Sequence, residues 1–525
     1  MIILDDTDDP HNSDKLSDDS RSVVRPSTPT PSLPSYEFSQ ALNLPRDATL
    51  EQPVEEPVES KYLTWWQRYS KARFRRALLY ALVIYFFLTV TVGVPIIVIK
   101  LRQRSSQHQK LFPPGPTASD SVSFIVGGSE SFSISSAVGC NQWSEENSTQ
   151  SMLEYALPLS DLVFIQSNVS YATDSTTVQD ISGTLDVGVN ADPSVTEAIV
   201  SVSMQYSDEA LKERTHVCLM NISDSNGVYL YVPSNLTSND TLIFNMTFLF
   251  PQTPSLLHVN EFLTMLPHFT QWFTNLSPYV TFDRVSLGGP RSKVSVRSMD
   301  ANSLVVKTAL AEIEGTFNVT ESLVLDTVSA PINVNVTLTN TGDGPVFLDV
   351  GTGNAELSAA VHLNLSPTLT IEGRMPDFMT RFQTFNAPLA LVIMHDPNSA
   401  AGILDVRVEN SMGEALVSVD NMYTGFFDVM TTFATAEVLT SSVDSINALS
   451  DYDMSMYKSA LSSSTTPGSA AERNVDFDVI HTSRIIGWVG TGTRPSAVPG
   501  PKHHSGQGSI EVMSTLSPVA LLLGP

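Results

Sequence analysis

The side chains that most often carry catalysis or bind metals are scattered in this chain. Its ten histidines form no His-Glu-x-x-His motif and no Cys/His cluster, so the spacing of a zinc site is missing. His503-His504 lies in a Pro/Gly/Ser-rich stretch that is typical of a solvated turn. A Gly-x-Ser-x-Gly nucleophile elbow is also absent. We therefore assign no catalytic, metal-binding or cofactor-binding residue and expect no cofactor.

Two glycine motifs and the many carboxylates need separate interpretations. VGTGN at 350–354 and VGTGT at 489–493 lack the third glycine and the lysine of phosphate-binding loops, so we interpret both as turns at strand ends. Of the 55 acidic residues, any two could meet in space and form an acid/base pair. The sequence does not say which two.

The two cysteines, Cys140 and Cys218, are predicted to form a disulfide, because lone cysteine pairs outside the cytosol usually oxidise. The alternative is two buried free thiols. A bond that closes a loop of this size stabilises a fold by roughly 4 kcal/mol in the chain-entropy model.

Sequons for N-glycosylation occur only after residue 146. We predict acceptors at Asn147, Asn168, Asn221, Asn235, Asn239, Asn245, Asn275, Asn318 and Asn335. A tenth sequon at Asn364 is followed by Pro367, which disfavours its use. Their placement predicts that the part of the chain after the membrane segment faces the lumen or the cell exterior.

Residues 77–99 read ALLYALVIYFFLTVTVGVPIIVI without a charge. As a helix they would span roughly 35 Å, enough for a bilayer core of about 30 Å. The segment begins too late for a cleaved signal peptide and predicts a signal anchor. Six basic residues in 61–76, against four in 100–110, favour a cytoplasmic N-terminus. The predicted protein is a single-pass membrane protein of the plasma membrane, secretory pathway or vacuole.

Composition divides the rest of the chain. Residues 1–60 carry 13 acidic and 4 basic side chains with Ser/Thr/Pro and Glu/Pro runs, which predicts a disordered cytoplasmic tail. Residues 61–76 form a basic juxtamembrane segment, and 100–120 form a polar stalk. The net charge of −26 argues against nucleic-acid binding. The expected partners are a lipid bilayer and either cell-wall glycans or a protein.

From about residue 121, short runs alternate apolar and polar residues, as in AIVSVSMQY, which predicts strands. The predicted fold class is mainly β, with a β-sandwich-like unit at 121–285 and a β-solenoid-like repeat unit at 286–525. One segment, 259–276, has apolar residues at helical spacing and predicts a helix kinked at Pro267. A disordered loop is predicted at about 447–474, and the final apolar run predicts a last strand that closes the repeat unit.

The repeats after residue 286 share one pattern. A Thr or Asn is followed by two variable residues, a small residue, Pro or Glu, and then alternating apolar positions. The anchor positions are Thr308, Thr327, Thr352, Thr384 and Asn410. Stacked rungs of a solenoid would bury such strands, although an ordinary sandwich with similar hairpins is the alternative. We expect the anchor hydroxyl to bond to the backbone about two residues further on.

The stretch VKTALAEIEGTFNVTESLVLDTVSAPINVNVTLTN, with TGNAELSAAVHL, NAPLALVIMHDP and the terminal IIGWVGTGTRP, resembles a fungal, mainly basidiomycete, family of single-pass membrane proteins. More loosely, the T-x-x-A-P units are similar to adhesin-like solenoid domains of bacteria. The resemblance implies fold and taxon, and it brings no activity and no site residue.

These observations lead to one functional hypothesis and two rivals. The first is a non-catalytic, membrane-anchored glycoprotein that acts in adhesion, cell-wall contact or partner binding through its β-rich ectodomain. The alternatives are an extracellular carbohydrate-active enzyme on a β-solenoid and a lumenal protein of the vacuole or Golgi. A surface groove with convergent carboxylates and aromatic platforms would favour the enzyme.

Overall fold

The computed structural model describes residues 137–524 apart from 144, 147–149, 160, 169–179, 223–224, 234–235, 238, 343, 367–375, 441–472 and 496–506. The predicted tail, basic segment, membrane segment and stalk lie outside these residues, and so does nearly all of the predicted loop at 447–474. The described part confirms a mainly β fold, and its short helix α1 covers Glu209–Arg214.

The strands follow one another along the chain with short connections. The first nine, β1 to β9, are Ala137–Cys140, Glu145–Glu146, Gln150–Leu157, Leu162–Ser167, Asp180–Val189, Ala198–Tyr206, His216–Ile222, Ser225–Tyr231 and Thr241–Phe250. The next nine, β10 to β18, are Leu257–Met265, Phe269–Asn275, Val280–Gly288, Val294–Lys307, Ile313–Thr327, Ile332–Asn340, Val346–Thr352, Leu357–Leu365 and Phe378–Thr384. The last nine, β19 to β27, are Leu389–His395, Leu404–Asn410, Ala415–Val419, Gly425–Met430, Ala436–Thr440, Asn474–His481, Arg484–Gly490, Gly508–Met513 and Val519–Leu523.

The strands form two facing stacks. Sheet 1 runs in the order β1-β7-β8-β4-β10-β12-β13-β14-β16-β18-β20-β26-β22-β25-β24. Sheet 2 runs in the order β2-β3-β6-β9-β5-β11-β13-β14-β15-β17-β19-β21-β27-β23. The long strands β13 and β14 contribute their first halves to sheet 2 and their second halves to sheet 1. The interior strands pair in parallel, which is the arrangement of a two-sided β-solenoid.

A rung of this solenoid is a sheet 1 strand, a short turn and the next strand in sheet 2. The core lies between the sheets, because alternate residues of each strand point inward. In β15, for example, Ile332, Val334, Val336 and Leu338 are buried, and the residues between them face outward. Parallel stacking thus favours the solenoid over the sandwich with hairpins for the repeats.

The same stacking continues across the predicted boundary between residues 285 and 286. Val285 lies inside β12, which pairs in parallel with β10 and β13. In the described residues before it, antiparallel pairing is confined to β1, β2, β3, β6, β7 and their neighbours. The N-terminal part therefore differs from a separate antiparallel sandwich: it is the capped beginning of the same stack.

The predicted helix at 259–276 is wrong, because this segment forms β10 and β11. In β10, Asn260 and Glu261 both lie toward the surface, so the buried Val259 and Phe262 are three residues apart. A local irregularity in a strand thus imitates the spacing of a helix face. Trp272, which the helix would have buried, is 43% exposed.

The stack does not follow chain order at either end. The terminal rung, β26 with β27, lies between the rungs β20–β21 and β22–β23. Near the other end, β4 with β5 lies between β8–β9 and β10–β11. The prediction of a last strand was right, but that strand fills an interior position and the β24–β25 hairpin follows β22 at the edge of sheet 1.

The anchor residues of the repeat have a structural explanation that differs from the expected one. All are buried, and most of them bond to the turn of a neighbouring rung. The hydroxyls of Thr327, Thr352 and Thr384 donate to the carbonyls of Ala309, Ala330 and Ala355 at 3.1–3.4 Å. Among the threonine anchors, a local bond is made by Thr308, to the carbonyl of Ala311 at 2.5 Å.

Asn410 extends this ladder with more bonds. Its amide donates to the carbonyls of Ala387 at 2.9 Å and Glu414 at 3.1 Å, and its oxygen accepts from the N–H of Gly413 at 2.9 Å. A Cβ at Gly413 would stand 2.0 Å from the carbonyl oxygen of Ala387. The fourth position of the repeat is small because the neighbouring turn stacks directly against it.

Candidate functional site

The predicted disulfide is confirmed. Cys140 of β1 and Cys218 of β7 are bonded, with 4.1 Å between their Cα atoms, and they are cross-strand partners in an antiparallel pair. They belong to a small apolar cluster with Phe164 and Met220 that is separate from the main core. The bond therefore joins the edge strand β1 to its neighbour β7 at the N-terminal end of sheet 1.

A polar recess lies on the outer face of sheet 1, where several adjacent strands each carry two successive polar residues. It has a volume of about 540 Å³ and is lined by Asp161, Leu162, Asn260, Glu261, Asp283, Arg284, Asn302, Ser303 and Glu321. The pairs Glu261–Arg284 and Arg284–Ser303 are register partners on adjacent strands. The recess is thus built by β10, β12, β13 and β14 together with the start of β4.

The sequence contains a signal for this recess that is separate from the repeat pattern. VNEF in β10, FDRV in β12 and ANSL in β13 each place two polar residues between apolar ones. In β13, the pairing with β14 shifts register between Ala301 and Ser303. Because the irregularities fall at the same level of adjacent strands, their polar side chains are collected in one place.

Each carboxylate of the recess is held by a neighbour. The amide of Asn260 donates to Asp161 at 2.8 Å, and that of Asn302 donates to Asp283 at 2.8 Å. The hydroxyl of Ser303 donates to Glu321 at 3.0 Å. Arg284 and Glu261 form an ion pair with 3.7 Å between Nη1 and Oε2.

This arrangement suits a ligand that both donates and accepts hydrogen bonds. Amide, hydroxyl and guanidinium donors alternate with carboxylate acceptors along one wall, as recognition of a hydroxyl-rich or polar partner requires. The recess has the carboxylates that a carbohydrate-active enzyme would need. Its described lining contains no aromatic side chain, so the sugar platform that would favour the enzyme is not part of it.

Further along the outer face of sheet 1, charged side chains of successive rungs pair with one another. Arg381 and Arg407 each contact Glu409, at 3.5 and 2.7 Å. Arg484 makes a two-pronged contact with Asp428, at 2.9 and 2.7 Å, and this hydrogen bonding raises the pKa of the Arg484 guanidinium. The face is a mosaic of both signs rather than a patch of one charge.

A buried histidine and aspartate form the arrangement closest to a catalytic dyad. Nδ1 of His395 lies 3.0 Å from Oδ1 of Asp420, and the backbone N–H of His395 donates to Oδ2 at 2.5 Å. Burial by itself would raise the pKa of Asp420, but the bonds from His395 and from the Met422 N–H lower it. The His395 side chain is 1% exposed, and its Nε2 is buried without a partner. Solvent therefore has little access to the pair.

The predicted glycosylation sites fall into three groups. Asn245 and Asn335 are exposed on the outer face of sheet 2, while Asn221, Asn239 and Asn275 are exposed at strand ends or in a turn. Asn168 and Asn318 use their amides within the fold, toward Val232 and Asp300. Asn147 and Asn235 lie outside the described residues. Asn364 is half-buried on β17.

Within 137–524 and outside its gaps, no helix is long and apolar enough to cross a bilayer. The predicted segment 77–99 is not among these residues. No group of three or more His, Cys, Asp or Glu side chains is arranged there to hold a metal ion.

No family model and no curated protein matches the chain. Among solved structures, it is similar to one from Clostridium sporogenes described as a "putative cell adhesion protein", at 8% identity over 71% of this chain and 99% of that one. The TM-score of that match is 0.15, which carries no argument about fold or function. The resemblance to fungal membrane proteins stays a prediction.

Proposed function

We propose that this chain is a membrane-anchored glycoprotein that binds a partner through the outer face of sheet 1, in adhesion or cell-wall contact. Residues 77–99 would anchor it with the N-terminus in the cytoplasm. Fungal origin, glycosylation and the site of anchoring belong to the proposal.

One observation supports this assignment of faces. The sequons whose asparagines face outward from the middle of a strand, Asn245 and Asn335, lie on sheet 2. Among the sheet 1 strands from β8 to β26, the predicted acceptor is Asn318 of β14, which pairs with Thr337 of sheet 2 and donates its amide to Asp300 within the fold. Because N-linked glycans are bulky and hydrophilic, glycans on sheet 2 would leave sheet 1 and its recess open to a partner.

Moving a glycan between the faces tests the proposal. Arg284→Asn creates the sequon Asn-Val-Ser inside the recess, and Glu314→Asn creates Asn-Gly-Thr on sheet 2. Arg284→Gln removes the same charge without adding a sequon. The full chain, solubilised from membranes, would be applied to a glycan array, and cells expressing it would be tested for attachment to cell-wall material.

We expect the glycan at position 284 to abolish binding, the glycan at position 314 to leave it intact, and Arg284→Gln to fall between them. Binding that survives a glycan at 284 and is lost with one at 314 would contradict the assignment of faces. Release of shortened glycan from the array would instead identify the carbohydrate-active enzyme.

The anchor requires its own test, because binding alone does not reveal topology. With tags at both ends, we expect protease treatment of sealed vesicles to remove only the N-terminal tag. Endoglycosidase should increase the mobility of the chain on gels. A protected N-terminal tag on a chain without glycans would refute the proposed orientation, and microscopy of the same tags would distinguish the cell surface from the vacuole or Golgi.

A further inference from the structure

The turns that join sheet 1 to sheet 2 carry large apolar side chains in exposed positions. They lie one or two residues after the anchor position of the repeat or its equivalent. In the order of the stack they are Leu310, Val328, Phe385, Met412, Leu516 and Phe433, which together we call the turn ridge. Phe433 is 76% exposed, and the other five are 47–55% exposed.

Backbone hydrogen bonds hold these turns in register. The N–H of Val328 donates to the carbonyl of Ala309, that of Phe385 to Gly353, and that of Met412 to Phe385. At the insertion of the terminal rung, Leu516 donates to Ser411 and Phe433 donates to Thr515. At about 4.8 Å per rung, the ridge spans roughly 29 Å from Leu310 to Phe433.

The formation of the turns does not explain these apolar residues. Buried Thr, Asn or Ser anchors and the small fourth residue already shape each turn, and exposed turn positions normally carry polar residues. The six side chains offer on the order of 600 Å² of apolar surface, which is the upper end of the range for the largest apolar patch of a typical monomer. The ridge thus has the character of a protein contact.

We propose that the turn ridge binds the turn ridge of a second copy of this chain. Both copies have the same rung spacing, so apolar side chains of one fit between those of the other, except at the rung between Val328 and Phe385, whose turn carries Gly353 and Asn354. A two-fold axis makes such a contact self-complementary. The area approaches the roughly 800 Å² per partner of a standard interface, so the dimer is of modest affinity. Copies held in one membrane meet at raised effective concentration.

The charges beside the ridge predict how salt acts on the dimer. Glu414 lies in the same turn as Met412, Glu356 lies in the turn of the rung between Val328 and Phe385, and the chain as a whole is acidic. Like charges therefore oppose an association that apolar contact drives. Raising salt from about 0.05 to about 0.5 M screens this repulsion and strengthens the dimer, whereas an oppositely charged partner would bind more weakly.

Crosslinking of the full chain in intact membranes tests this dimer. The chain's cysteines are both in the disulfide, so one added cysteine reports one position. Phe385 lies near the centre of the ridge and meets its own copy whether the two ridges run parallel or antiparallel. Leu256, 53% exposed and outside the ridge, is the matched control.

We expect Phe385→Cys to form disulfide-linked dimers on mild oxidation and Leu256→Cys to form few. Adding Met412→Asp and Phe433→Asp to Phe385→Cys should lower the dimer yield roughly tenfold, which corresponds to about 1.4 kcal/mol. Equal yields at positions 385 and 256, or an unchanged yield with the two aspartates, would overturn the proposal. Binding to glycans is measured separately, so failure of the dimer leaves the function proposed for sheet 1 untouched.

Discussion

Leu521→Ala tests the interior position of the terminal rung. Leu521 is 0% exposed, and its strand β27 pairs with β21 on one side and β23 on the other. Removing a buried leucine costs about 2–5 kcal/mol through lost burial and the cavity that remains. Leu516→Ala is the matched control, because Leu516 belongs to the same rung and is 48% exposed. In the monomer, where Leu516 contacts no second copy, its cost should stay within about 0.5 kcal/mol.

Hydrogen exchange followed by mass spectrometry shows which strands are destabilised by Leu521→Ala. Local opening limits exchange in a stacked array, so a loss of about 3 kcal/mol speeds exchange by on the order of a hundredfold. We expect this acceleration in both β21 and β23, which lie on either side of the terminal rung. If the last strands were instead a fraying chain end, exchange would change only in β26 and β27, and the interior position would be refuted.

Three further perturbations follow from the structure. Asn410→Ala removes three hydrogen bonds and should lower the free energy of unfolding by about 2–4 kcal/mol, against about 1 kcal/mol for Thr384→Val, which removes one. Equal urea midpoints for these two variants would show that the loss of stability does not depend on the number of hydrogen bonds removed. Replacing both Cys140 and Cys218 by Ser opens a loop with a sequence separation of 78 and should cost about 4 kcal/mol; an unchanged thermal midpoint would disprove this. Because the pKa of Asp420 is lowered in the fold, its stabilisation is complete above the unfolded value of about 3.9 and disappears as pH falls through the lowered folded pKa. Urea midpoints measured between about pH 2 and 6 should fall more steeply for the wild type than for Asp420→Asn, and parallel profiles would contradict the assignment.

Several features could be predicted from local sequence because they depend on local physics. Alternating apolar residues bury one face of a strand whatever lies beside it, so AIVSVSMQY indicates the strand β6 without knowledge of its neighbours. The pairing of Cys140 with Cys218 followed from there being two cysteines. Where two polar residues interrupted the alternation, as in VNEF, the same reasoning failed and predicted a helix.

Contacts between distant residues were out of reach of this reasoning. His395 and Asp420 bond across adjacent rungs, and neither stands in a motif that indicates the other. The recess requires irregularities in β10, β12 and β13 to fall at one level. Single strands show such polar pairs, but only pairing in register brings them together.

The sequence by itself determined the β character of the described chain, the disulfide and the repeating turn with its anchor and small residue. Tertiary structure alone decided which rung lies beside which. Any rung with an apolar inner face can cover another, so local patterning does not specify the order. The order comes from pairing between strands that are distant in the chain, and this pairing places the chain's last strands inside the stack.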